Sequence, residues 1–122
     1  MEETKINLEE IQTRVEEKAK ELSAKYNVKV TPFFFVTKDK KEVIEGYLRE
    51  PGRLDKMRAI DLYEQSRTQA GALLLITSLL KGEGESDPRI MDEKPSNDSI
   101  YLGAIEVAID QVEMLNNLIK KK

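Results

Sequence analysis

The sequence predicts an α+β fold: a mostly helical single domain of about four helices, with one antiparallel β-hairpin near residues 28–49. Three observations predict it. Apolar residues recur at steps of three and four near both ends of the chain, the mark of amphipathic helices. Between them "VKVTPFFFVT" and "EVIEGYLR" alternate on either side of a charged turn, as two paired strands do. The 122 residues, 39% apolar and 35% charged, are enough for one core and lack the bias of a disordered chain.

Residues 1–27 read as an N-terminal helix with Leu8, Ile11, Val15, Ala19, Leu22 and Tyr26 on one stripe. Asn7 is the expected N-cap, with Glu10 completing a capping box, and Asn27 the expected left-handed stop. The stripe is expected to pack on the domain's own core or on a second copy. In the hairpin, residues 28–49, Val28, Val30, Pro32, Phe34 and Val36 share one face and Phe33 and Phe35 take the other. Pro32 donates no hydrogen bond and points to an edge strand or a bulge. Lys38, Asp39, Lys40 and Lys41 make the turn. Residues 53–81 read as two helices. The first puts Leu54, Met57, Ile60 and Tyr63 on one face; the second opens at a Ser66–Gln69 capping box, is apolar nearly all round and so central, and stops at Gly82. Residues 82–97 form an acidic loop, long enough to be functional or mobile. Ser96 or Asp98 then caps a last helix over 98–120, with a buried stripe of Leu102, Ile105, Ile109, Val112, Leu115 and Ile119.

Composition narrows the function. With no histidine the commonest general base and metal ligand is missing, and with no cysteine so are thiolate chemistry and disulfides. No catalytic, cofactor-binding or metal site is expected, and an enzyme built on carboxylates with Arg49 or Arg53 is a distant reading. A net charge of −3 with interleaved signs argues against a nucleic-acid partner. The acidic N-terminal stretch has no signal-peptide core, and the apolar run at 70–80 is far short of the roughly 20 residues that span a bilayer. The expected location is therefore cytoplasmic, neither secreted nor in a membrane.

Several clusters invite a chemical reading. Arg49, Glu50 and Arg53 in "LREPGR" could gather an anion at a helix N-terminus. The simpler reading gives Glu50 to the helix dipole and leaves the arginines solvated. Glu83, Glu85, Asp87, Asp92 and Glu93 lack the regular ligand spacing of a calcium loop, and a solvated loop is favoured. The lysines at 120–122 suit a helix C-terminus. The hairpin is the most informative apolar surface: helices of the same chain are expected to cover one face, leaving the other, or the strand edge, for another chain. The alternative is that the chain folds back over both faces. Phe33, Phe35, Tyr47, Arg49 and Arg53 are the expected partner-binding residues.

The order of features resembles a known family. A strand ending "YLREPGR", two helices, a glycine and an acidic loop, then "NDSIYLGAIEVAIDQVEMLNNLIKKK", resembles the small tail assembly chaperones of long-tailed bacteriophages and prophages. The resemblance covers residues 45–119, matching at Tyr47, Leu48, Arg49, Glu50, Pro51 and Arg53, at Gly82 with its acidic neighbour, and at Asn97, Asp98, Tyr101 and Leu102. Where many relatives carry a Cys-Trp type pair before the glycine, this chain has Ser78, Leu79, Leu80 and Lys81. The resemblance implies a non-enzymatic protein of the host cytoplasm that holds the helical tape-measure protein while tail-tube subunits polymerise, with those subunits as further partners. A homo-oligomer is also open: the rival reading is a homodimeric structural or regulatory interaction protein of phage or bacterial origin.

Overall fold

A computed structural model describes residues 7–39 and 41–120, without the side chains of residues 119 and 120. Helix α1 (Leu8–Tyr26) leads into strands β1 (Val30–Val36) and β2 (Val43–Arg49). Helices α2 (Arg53–Gln65) and α3 (Arg67–Ser78) follow, and the chain closes with α4 (Asp98–Lys120). This is the expected α+β domain, with four helices and one antiparallel two-stranded sheet among the described residues. The element boundaries follow local chemistry. Asn7 Oδ1 accepts from the Glu10 N–H at 3.1 Å, Asn27 stops α1 at φ 54°, ψ 44°, and Ser66 Oγ accepts from the Gln69 N–H at 3.2 Å.

The sheet register pairs Val30 with Arg49, Pro32 with Tyr47, Phe34 with Glu45 and Val36 with Val43 on one face. On the other lie Leu48, the stacked Phe33 and Phe35 (6.4 Å between ring centres), and Ile44. Both faces are covered, which corrects the expectation of a spare one. Helix α1 buries Ile11, Val15, Ala19 and Leu22 against Val30, Tyr47 and Leu80. Helices α3 and α4, with α2 packed on both, cover Phe33, Ile44 and Leu48. The Phe33 ring lies over Gly46, where a Cβ would stand 2.2 Å from the ring, so glycine is required there.

The outer edge of β2 is covered as well. At Tyr47 the backbone turns away from β1: its N–H donates to Ser86 Oγ at 2.9 Å and its carbonyl accepts from the Leu80 N–H at 2.9 Å. The Asp87 N–H donates to the Glu45 carbonyl at 2.9 Å, and Leu79 bridges Leu48. Residues 79–87 are thus a strap over the outer edge of β2. Beyond it come two 3-10 turns, Pro88–Met91 and Pro95–Asn97, the first carrying the fully buried Ile90. Pro32, opposite Tyr47, sits where its missing N–H would have pointed away from the partner strand, so it costs the sheet no bond.

Three expectations need correction. Helix α3 ends at Ser78, not at Gly82, because Leu79 turns extended (φ −70°, ψ 129°) to reach Leu48. On α2, Leu54 and Met57 are exposed while Ala59 and Ile60 are buried. On α4, Ile105 and Val112 are buried as expected, but Leu102 is 55% exposed, and Ile100, Ala104 and Ala108 complete the buried face. Small residues set that seam: a Cβ on Gly71 of α3 would meet the Ile105 carbonyl of α4 at 2.9 Å. The side chain of Ile119 and the lysine tail at 121–122 lie outside the described residues.

Candidate docking surface

The five residues expected to meet a partner separate into three situations. Phe33 and Tyr47 are buried, Tyr47 completely, so the fold uses both as core. This corrects their placement on a contact surface: α1 roofs Tyr47, and Gly46 with α3 and α4 encloses Phe33. The Tyr47 hydroxyl is buried with no hydrogen-bond partner among the described residues, and burial pushes its pKa up, against the pull of Arg14. Phe35 is half-buried, its ring against Gly103 of α4. Arg49 and Arg53 are exposed and form no ion pair among the described residues.

At the corner before α2 the two arginines are exposed and Glu50 takes a side-chain partner. Lys56 Nζ donates to Glu50 Oε2 at 2.8 Å, and that contact holds the Glu50 carboxyl below its ordinary pKa. In the acidic loop Glu85 and Asp87 are both engaged. Glu85 accepts from Tyr26, from Lys25 at 3.2 Å and from the Gly82 N–H at 2.8 Å. Burial pushes its carboxyl up, but these donors outweigh it and the net pKa is low. Arg89 bridges Asp87 at 2.9 Å and Glu42 at 2.8 Å. No group of acids among the described residues could hold a metal ion.

Two apolar-lined grooves flank α4. One groove, of about 230 Å³, lies between the last turns of α4 and the corner at residues 48–51. Leu48, Leu74 and Leu115 line it together with Met114 and Leu118, which are 57% and 73% exposed. Its charged lining is Lys29, Arg49, Lys56 and Glu50. The second groove, of about 570 Å³, lies between the hairpin turn and the first half of α4. Phe35, Val36 and Leu102 give it an apolar lining, with Glu106 and Asp110 beside them. So Phe35 and Arg49 stand in the walls of two different grooves, while Arg53 lines neither. The α4 side chains in these grooves were legible as apolar; their exposure was not, because it depends on which face the small-residue seam turns inward.

Fold and surface together define a small α+β domain with closed sheet faces and apolar grooves along its last helix. No known protein family, characterised protein or solved structure matches this chain. No described helix is long and apolar enough to cross a membrane.

Proposed function

We propose that this chain is a non-enzymatic tail assembly chaperone of a long-tailed phage or prophage, acting in the host cytoplasm. It binds the helical, apolar-rich tape-measure protein while tail-tube subunits assemble around it. One observation carries the reading: α4 leaves Leu102, Met114 and Leu118 exposed beside two apolar grooves, a surface suited to a helix laid in a groove. Single exposed apolar residues are ordinary, but here they adjoin grooves that face the same helix. The resemblance of residues 45–119 to tail assembly chaperones supplies the client, and the matched corner forms one groove wall.

Co-expression with the longest helical open reading frame downstream tests it. The expected result is a soluble complex on affinity capture, lost on Met114→Ser with Leu118→Ser while the domain stays folded. A chain that runs alone as a tight dimer and leaves that product insoluble would replace this reading with the homodimeric interaction protein.

A further inference from the structure

We propose that the groove between the last turns of α4 and the corner at residues 48–51 takes an amphipathic helix whose apolar stripe is flanked by carboxylates. This deepens the chaperone reading and rests on it only for the client's identity. The lining residues on α4 run from Gln111 to Leu118, about 12 Å of helix at about 1.5 Å per residue, so some two turns of a partner fit alongside. At about 230 Å³ the groove is smaller than the ~300–1,000 Å³ of small-molecule sites, and suits inserted side chains better than a cofactor. Met114 on its lip adapts its shape to whatever apolar side chain arrives.

Charge decides the flank. Lys29, Arg49 and Lys56 line the groove against a single carboxylate, Glu50, which Lys56 already holds at 2.8 Å. Arg49 forms no ion pair among the described residues, and it stands opposite Val30 at the end of the sheet. An incoming Glu or Asp beside an apolar stripe would find this guanidinium unengaged, and a lysine would be repelled. The same charges argue against a second copy as occupant. A two-fold pairing through this groove would bring the basic residues of one copy against those of the other. Helix α1 has its apolar stripe of Ile11, Val15, Ala19 and Leu22 already buried on the sheet.

The test uses the full chain and two synthetic helix-forming peptides with the same leucine stripe, one flanked by glutamates and one by lysines, read by fluorescence anisotropy. The glutamate peptide should bind at least about ten-fold tighter, with the advantage shrinking at high salt. Arg49→Glu should remove most of that advantage and Leu118→Ser most of the binding, whereas Arg53→Glu, outside the groove, should change neither. Circular dichroism confirms that each exposed-residue variant is folded. Equal affinity for the two peptides, no binding of either, indifference to Arg49→Glu, or a concentration-dependent dimer at pH 7 abolished by Leu118→Ser would each overturn the proposal. A soluble client complex insensitive to Arg49→Glu would sink this groove and spare the chaperone reading. Selective peptide binding with no client complex would do the reverse.

Discussion

The Glu85 side chain is only 3% exposed, yet it stays charged because Tyr26, Lys25 and the Gly82 N–H all donate to it. Those donors tie the strap over β2 to the end of α1, so a single carboxylate couples two segments far apart in sequence. Its pKa is depressed in the folded state, despite burial, relative to an ordinary 4.5. The stabilisation is therefore complete above about pH 4.5 and drains away as pH falls through the lower folded value. Replacement Glu85→Gln keeps the shape and removes the charge, and should cost about 1–3 kcal/mol near neutral pH. Asp87, also depressed by its Arg89 contacts after burial is offset, loses stabilisation in a neighbouring window in both proteins. The difference between wild type and variant isolates Glu85. Urea midpoints measured from pH 7 down to pH 3 should show that difference shrinking below about pH 4.5. A constant difference across the range would mean that the charge of Glu85 contributes nothing.

Helix α1 packs on one sheet face through four buried side chains, while α2, α3 and α4 share the larger core on the other. Val15 is fully buried at the centre of the smaller cluster. A charge there has no partner, so Val15→Asp should undock α1 and leave the helical core standing as a separate unit. In hydrogen exchange the amides of α1 and β1 should lose protection while those of α3 and α4 keep it. Equal loss in α3 and α4 would show that the two clusters unfold as one. The sequence reading succeeded where signals are local: Asn7, Asn27 and Ser66 act within a turn of themselves, and the alternation of the hairpin is set by the pleat. It failed where a distant partner decides. The end of α3 is set by Leu48, about thirty positions earlier in the chain. The inward face of α4 is set by a close approach at Gly71, which favours Ala104 and Ala108 over the larger Leu102 that a hydrophobic count prefers.

At the scale of the molecule, the closed sheet withdraws Phe33 and Tyr47 from the surface, while α4 keeps exposed apolar side chains. Two of the five expected contact residues, Phe35 and Arg49, still reach a groove, because strand ends and edges stay accessible after both faces are covered. The grooves themselves could not be read from the sequence: one gathers Lys29, Leu48, Leu74 and Met114 from four separate elements or their flanks. Leu102, Met114 and Leu118 on a chain of net charge −3 also set its solubility. Near neutral pH like-charge repulsion opposes contact between these apolar patches, and it vanishes near the isoelectric point of about 5.2. That point lies above the window in which Glu85 and Asp87 give up their stabilisation, so the protein that meets itself there is still folded. Light scattering should therefore rise sharply near pH 5.2 while circular dichroism stays native, and should fall again on the acid side until unfolding begins. Changing Leu102, Met114 and Leu118 together to Ser should suppress most of that scattering without moving its pH, since the substitutions alter apolar area and no charge. If the triple variant scatters as strongly as wild type, the exposed face of α4 is not the adhesive surface, and its claim on a client helix weakens with it.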